Sequence, residues 1–333
     1  MLFKTTEAHE EFRAKIRKFA EEEVKPIAFM LDQKNEFPHD IVKKMAKLGI
    51  MGTPYPKKYG GAGLDAISYA IAVEELSRVD GCTGVILSAH VSLGSYPIFA
   101  YGTEEQKQKY LVPLAKGEKL GAFGLTEPNA GTDASGQQTR AELDGDEWVL
   151  NGAKCFITNG GYAEVFVVMA MTDKSKGNHG ISAFIVEKSD PGFSIGKTED
   201  KMGICASSTT ELIFQNCRIP KDRLLGGLGK GFKVAMQTLD GGRIGIASQA
   251  LGIAEGALEV TIEYMKQRKQ FGKKLAQMQA LQFVVADLAT KVEAAKLLVL
   301  KSAFCEDAGL PYGVPAAMAK LFAAETAMEV TTK

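Results

Sequence analysis

The sequence lacks any imbalance of charge: 40 lysines and arginines stand against 40 aspartates and glutamates in 333 residues, for a formal net charge of zero. A nucleic-acid footprint or an electrostatic membrane anchor rests on a basic surplus, so composition argues for neither. Small molecules and proteins are the expected partners. Cysteine is scarce too. Cys82, Cys155, Cys205, Cys217 and Cys305 are odd in number and contain no C-x-x-C pair, which speaks against a disulfide framework and a zinc site. The four histidines, at positions 9, 39, 90 and 179, lack i, i+4 ligand spacing, so no metal is expected and each reads as a surface or helix-end residue. Apolar runs stop short of about 18 residues, the length a spanning helix needs. The N-terminus carries Glu7, Glu10 and Glu11, which an acid-poor transit peptide would avoid. The expectation is a soluble, cytoplasmic protein.

A hydrophobic content of 45% supplies a sizeable core, and the length suggests about two or three units. From Glu7 to about Gly117 the apolar period is helical: Phe12, Ile16 and Phe19, then Ile41, Met45 and Leu48. Thr103 and Gln106 form a capping box. Near Leu120 short β-rich runs take over, over 121–125, 139–143, 148–150, 165–171, 181–186 and 209–214. Asp144-Gly145-Asp146, Asn151-Gly152, Lys176-Gly177-Asn178 and Asp190-Pro191-Gly192 read as turns between them. After Pro220 the helical period returns through three long stretches, which implies a bundle. The expected fold is α+β and multidomain: a helical domain over 1–118, an antiparallel β-barrel or sandwich over 119–222, and a helical domain over 223–333.

Two runs carry chemistry: Gly124-Leu125-Thr126-Glu127-Pro128-Asn129-Ala130-Gly131-Thr132-Asp133 and Lys154-Cys155-Phe156-Ile157-Thr158-Asn159-Gly160. An isoalloxazine ring needs donors and small hydroxyls along its polar edge and an apolar or aromatic wall on a face. Phe123, Leu125 and Thr126 offer both from one short element. Gly131 permits close backbone approach to a phosphate, and Thr132 adds a hydroxyl. Phe156 and Thr158, two apart, would share a strand face with Ile157 between them. The pair of runs points to a flavin. Gly227-Leu228-Gly229-Lys230-Gly231 looks like a dinucleotide loop, but it follows no βα strand and reads as a lead into the helix near Phe232.

At these residues the chain resembles the acyl-CoA dehydrogenase family, closest to its short-chain, butyryl-CoA branch. The resemblance runs from Phe3 to Lys333. It includes Glu199-Asp200-Lys201-Met202-Gly203, Leu239-Asp240-Gly241-Gly242-Arg243 and Lys266-Gln267-Arg268-Lys269-Gln270-Phe271-Gly272-Lys273. It implies an enzyme that moves a hydride from the acyl β-carbon to FAD, with flavin between the middle and C-terminal domains and a neighbouring subunit completing the site. By the match, Phe123, Leu125, Thr126, Gly131, Thr132, Phe156, Ile157 and Thr158 contact FAD. Phe156 stands where the family usually has tryptophan. Arg268 reaches the FAD diphosphate from a partner subunit, with Phe271 and Gln279 beside it. Thr132, Asp240, Gly241, Gly242 and Arg243 face the CoA substrate; the bland alternative is that Asp240 and Arg243 cap a helix beginning there. Homo-oligomers, as a dimer of dimers, and an electron-transfer flavoprotein are the implied partners.

The short-chain branch places its base, a glutamate, in a C-terminal Y-E-G-T motif that this sequence does not contain, and the alternative base position falls on Gly242. No catalytic base is nominated, and the chain is expected to be C-terminally incomplete. Two other readings stand beside the dehydrogenase: a catalytically silent flavin-binding or assembly subunit, and an acyl-CoA oxidase-type flavoenzyme.

Overall fold

Helices open the chain for local reasons. The Thr6 hydroxyl accepts from the His9 amide and the His9 ring from the Thr6 amide, closing a capping box in front of α1 (Glu7–Phe19). A second box, Thr103 with Gln106, starts the short helix Glu104–Gln106 as the spacing anticipates. The computed structural model describes residues 5–333; residues 1–4, where the first expected domain and the family resemblance begin, lie outside the described residues. The remaining N-terminal helices are α2 (Lys25–Lys34), α3 (His39–Leu48), α4 (Ala66–Ser77), α5 (Gly81–Ser88), α6 (Tyr96–Tyr101), α7 (Glu104–Gln106) and α8 (Val112–Ala115), with π-helical turns at Ala20–Val24, Ala89–Ser95 and Lys107–Leu111. The uncharged stretch Gly81–Tyr101 has the length and composition to cross a membrane, which corrects the expectation that no such run exists; 78% of its apolar window is buried inside the fold. One histidine is also not where sequence placed it: His90 is wholly buried in the π-helical turn, whereas His9, though buried, stands at a helix end.

Strands follow as β1 (Gly121–Gly124), β2 (Arg140–Asp144), β3 (Glu147–Thr158), β4 (Val165–Met171), β5 (Ile181–Glu187), β6 (Phe193–Thr198), β7 (Thr209–Pro220) and β8 (Leu224–Leu225). They form one sheet in the order β6-β7-β3-β2-β4-β5-β8, with β1 pairing on β4. The sheet is not wholly antiparallel: β1 and β2 each run parallel to β4. Parallel neighbours need a long connection, and residues 125–164 between β1 and β4 supply one. Asn151-Gly152 is no turn but lies within β3, where the register slips between Leu150 and Gly152. Here β7 carries the extra residue, with Asn216 at φ 50° and its amide held by the Asn151 side chain. Gly152 must be glycine, since a Cβ would stand 2.5 Å from Thr139 Oγ1.

Three long helices end the chain: α9 (Gly231–Gln267), α10 (Gln279–Asp307) and α11 (Gly313–Thr332), with a small hairpin of β9 (Lys269–Gln270) and β10 (Lys273–Lys274) after α9. Two compact units result. The first takes residues up to Met30, Asp65–Val85 and Arg243–Lys333; the second takes Leu31–Leu64 and Ile86–Gly242.

In the first unit an alanine-rich core joins Ala66 and Ala70 of α4 to Ala247, Leu251 and Ala254 of α9, Val292 and Ala295 of α10, and Ala319 and Ala323 of α11. Small residues let the helices approach closely. At Gly252 and Gly256 of α9, any Cβ would strike the carbonyl oxygens of Glu74 and Arg78. Beside this contact lies a buried set of charges. Arg13 donates to Glu74 at 2.6 Å and to Glu75 at 2.7 Å, Arg17 to Glu75 at 2.8 Å, and Lys296 lies 3.0 Å from Glu74 and 3.2 Å from Glu255. Burial, with the Glu74 charge nearby, pushes the Glu255 carboxyl up to about 8.

In the second unit the core is made by the sheet. Trp148 and Leu150 of β3, Phe166 and Val168 of β4, Phe184 and Val186 of β5, and Leu212, Phe214 and Ile219 of β7 form one cluster.

Candidate functional site

The two chemistry-bearing runs meet in the second unit. Cys155 donates its backbone N–H to Thr126 O at 2.9 Å, and Lys154 Nζ donates to Leu125 O at 3.2 Å. The first run leaves β1, turns tightly at Glu127–Ala130 through two reciprocal backbone bonds, and returns as an extended loop.

Sequence reading missed what holds that loop. Lys154 is wholly buried in β3 and reaches Glu127 Oε1 at 2.7 Å and Gln137 Oε1 at 3.1 Å. Glu127 also accepts the amides of Gln138 at 2.6 Å and Thr139 at 3.0 Å. Burial pushes the Lys154 amine down to about 8, against the opposing pull of Glu127. For Glu127, burial raises the carboxyl, but the Lys154 charge and the two amides outweigh it and hold it below its ordinary value. The signal was present: Trp148, Leu150, Gly152 and Lys154 share one parity along β3, so the lysine falls on the inward face.

At the end of β3 the pairing slips again. Lys154 stands opposite Leu212 and Ile157 opposite Thr210, so Cys155 and Phe156 together face Glu211. Phe156 takes φ 59°, a conformation a bulky side chain adopts at a cost of about 1 kcal/mol or more. A regular strand would alternate its residues. The bulge instead brings Phe156, Ile157 and Thr158 to one cleft, so the three expected residues of this run stand together although they do not alternate as a regular strand would.

That cleft is lined by Phe123, Leu125, Thr126, Phe156, Ile157 and Thr158, and by three residues assigned no site role from sequence: Ala89 and Leu93 from the π-helical turn and Leu239 from α9. Phe156 is 63% exposed. Among the described residues the hydroxyls of Thr126 and Thr158 have no hydrogen-bond partner. None of the nine lining residues titrates. Apolar walls, one open aromatic ring and two unengaged hydroxyls suit a flat heteroaromatic ring with one polar edge, so the donor set fits an isoalloxazine.

The other expected residues lie elsewhere. Gly131 and Thr132 are exposed on the loop, outside the cleft lining, and nothing in the chain crowds a Cβ at Gly131. Asp240, Gly241, Gly242 and Arg243 sit inside α9, which begins at Gly231, so the capping alternative for Asp240 and Arg243 is overturned. Gly242 packs against the turn: a Cβ there would stand 2.9 Å from Leu93 Cδ2 and displace that side chain. Arg268, Phe271 and Gln279 belong to the first unit and are all exposed. Phe271 and Gly272 form the two-residue tip of the β9–β10 hairpin, both at positive φ, and the Phe271 ring is 94% exposed. Such tips favour Asn-Gly, so a phenylalanine there is strained as well as unburied.

Comparison with known proteins gives the family. Models for the N-terminal, middle and C-terminal domains of acyl-CoA dehydrogenase match residues 6–118, 122–217 and 229–333. The chain belongs to the acyl-CoA dehydrogenase family. A protein of Clostridium acetobutylicum named acyl-CoA dehydrogenase, short-chain specific, is 61% identical over 333 residues, which are 100% of this chain and 88% of that protein. The mitochondrial short-chain specific enzyme of Bos taurus is 51% identical over 325 residues, 98% of this chain and 79% of that one. Among solved structures, butyryl-CoA dehydrogenase from Megasphaera elsdenii matches with a TM-score of 0.98 at 52% identity, covering 100% of this chain and 88% of that one. A chain from a structure of the electron transferring flavoprotein of Acidaminococcus fermentans, concerned with flavin-based electron bifurcation, matches at 0.99 and 56%, covering 100% and 87%.

Proposed function

We propose that this protein is a short-chain acyl-CoA dehydrogenase, interconverting butyryl-CoA and crotonyl-CoA with FAD and exchanging electrons with an electron-transferring flavoprotein. The observation that carries the reading is the cleft in which Phe156, Ile157 and Thr158 are presented together by a bulge, opposite Leu125 and Thr126. The relatives named for short-chain substrates support the substrate class, and the Acidaminococcus match supports the partner. When bound, FAD supplies the acceptor for the β-hydride. The chain's own residues orient it and keep water out. Thr126 and Thr158 offer hydroxyls to the polar edge, Phe156 covers a face, and Leu93, Leu125 and Leu239 exclude solvent. Gly131 and Thr132 serve the phosphate end.

Arg268, with Phe271 and Gln279, reaches the diphosphate of a neighbouring copy in a homo-oligomer arranged as a dimer of dimers. The exposed, strained Phe271 ring supports that assignment, since an aromatic at a hairpin tip gains only from something that covers it. Asp240, Gly241, Gly242 and Arg243 face the CoA moiety. The acceptor of the α-proton is not among the cleft residues, none of which titrates. We assign the protein to the cytoplasm and its segments to 1–118, 119–222 and 223–333. Rapid mixing of the flavin-loaded protein with acyl-CoA tests the reading. Bleaching by butyryl-CoA should outpace bleaching by octanoyl-CoA, with neighbouring chain lengths slower by the factor of about 10 to 200 that one methylene is worth. Protein that takes up no flavin, or prefers octanoyl-CoA, would sink it.

A further inference from the structure

The π-helical turn Ala89–Ser95 that forms one wall of the cleft is held by a histidine. His90 is completely buried. The Gly121 amide donates to its Nδ1 at 3.0 Å, and its Nε2 lies 3.0 Å from the Leu114 carbonyl. Because Nδ1 accepts, the single ring proton sits on Nε2, which donates to Leu114. Burial pushes the imidazole down to about 4, so it stays neutral and in that tautomer at ordinary pH. One ring thus joins three stretches: the turn itself, α8 at Leu114, and the first residue of β1.

Two further contacts seat the same turn. Gly94 presses backbone to backbone on β1, where a Cβ would stand 2.6 Å from the Gly121 carbonyl carbon. Tyr55 donates its hydroxyl to Val91 O at 2.5 Å. The immediate sequence neighbours of His90 and Gly94, namely Ala89 and Leu93, line the cleft, and β1 runs from Gly121 to Phe123 and on to Leu125 and Thr126 on the same cleft. We propose that His90 is a positioning residue for the flavin cleft, fixing Ala89 and Leu93 opposite Phe123, Leu125 and Thr126 by tying the turn to Gly121, while the Leu114 bond holds the ring in the tautomer that accepts. The proposal rests on the reading of this cleft as the flavin site.

Two substitutions separate the two hydrogen bonds. In His90→Asn the amide oxygen stands near the place of Nδ1 and still accepts from Gly121; in His90→Gln the amide nitrogen stands near Nε2 and serves Leu114, leaving Gly121 without an acceptor. The holoprotein carrying His90→Gln should release FAD about tenfold faster and change the visible circular dichroism of the flavin, the size expected for one buried hydrogen bond. His90→Asn should stay within about twofold of the parent. Ile219→Ala, in β7 beside Trp148 at the other end of β3, serves as the control: it should lower Tm and leave the flavin spectrum alone. In flavin-free protein, the Leu93 methyl resonances and the exchange rate of the Gly121 amide should move in the Gln variant and hold in the Asn variant. Unmoved resonances in both variants overturn the proposal, as does a flavin spectrum that responds equally to Ile219→Ala at matched loss of Tm. Resonances that move as stated in a protein that binds no FAD would instead overturn the flavin reading and leave the positioning role standing.

Discussion

Replacing Lys154 by methionine should unsettle the first flavin run more than its distance from any ligand suggests. The lysine is wholly buried and serves three acceptors, Leu125 O, Glu127 Oε1 and Gln137 Oε1. Breaking a buried ion pair by removing one partner costs about 3 to 5 kcal/mol, because the other charge is left behind. Here Glu127 keeps the amides of Gln138 and Thr139, so the lower end of that range applies: roughly 3 kcal/mol, or about 2 to 4 °C of Tm per kcal/mol for a unit of 150–250 residues. Glu127→Gln with Lys154→Met removes both charges and should be less damaging than the sum of the single changes by about 1 to 3 kcal/mol. Thermal unfolding followed by far-ultraviolet circular dichroism, run as a double-mutant cycle, measures the coupling. FAD affinity should fall with Lys154→Met, since Leu125 and Thr126 follow the loop. A single variant within about 0.5 kcal/mol of the parent, or a strictly additive cycle, would refute the argument.

Four other outcomes are expected. His90 titrates near 4 when folded against an ordinary 6.5, so the unfolded chain binds more protons between those values and stability falls as pH drops from 6.5 towards 4. The loss is about 3 kcal/mol, and Tm of the parent should drop more steeply than that of His90→Asn; parallel curves would contradict the burial. Phe156→Gly should raise the Tm of flavin-free protein, by relief of about 1 kcal/mol of backbone strain, and weaken FAD retention; a fall in both would mean the bulge is not strained. Thr158→Ala and Thr132→Ala should each lower FAD affinity by about 1 to 3 kcal/mol, read by flavin fluorescence on titration, and unchanged affinity would remove that threonine from the site. Arg268→Gln should weaken both FAD retention and self-association in sedimentation velocity, and a parent protein that is monomeric with full flavin occupancy would exclude the shared site.

The order of helices, sheet and helices was legible because each segment keeps one apolar period over many residues, as Ile41 and Met45 do in α3. The Thr103–Gln106 box was legible because capping is local. Glycine was where local reasoning failed. Asn151-Gly152 has the composition of a turn, but Gly152 is required by Thr139 across the sheet; Gly241-Gly242 has the composition of a helix entrance, but Gly242 lies inside α9 and packs on Leu93. In both cases the reason lies in a residue distant in sequence. The cleft residues in β1 and β3 could be named from motifs, whereas Ala89 and Leu93 could not, being ordinary apolar residues of helical segments; Leu239 heads the motif that ends at Arg243 but was given no role in it. Lys154 and Glu127 were passed over because charge reads as surface, although strand parity placed the lysine inward.

The buried charges of Arg13, Glu74, Glu75, Glu255 and Lys296 come from stretches of chain made at opposite ends of synthesis. Until α9 and α10 exist, Glu74 lacks Lys296 and the carbonyls of Glu74 and Arg78 lack the flat surface of Gly252 and Gly256 to lie on. The unit that holds the sheet ends at Gly242. On the ribosome, therefore, the sheet unit can fold while the first-made helices wait, exposed, for the last hundred or so residues to emerge. Limited proteolysis of ribosome-stalled chains would show this as cleavage near Arg13 and Arg17 that persists in chains ending before Arg243 and vanishes once α10 is out, with the sheet resistant in both.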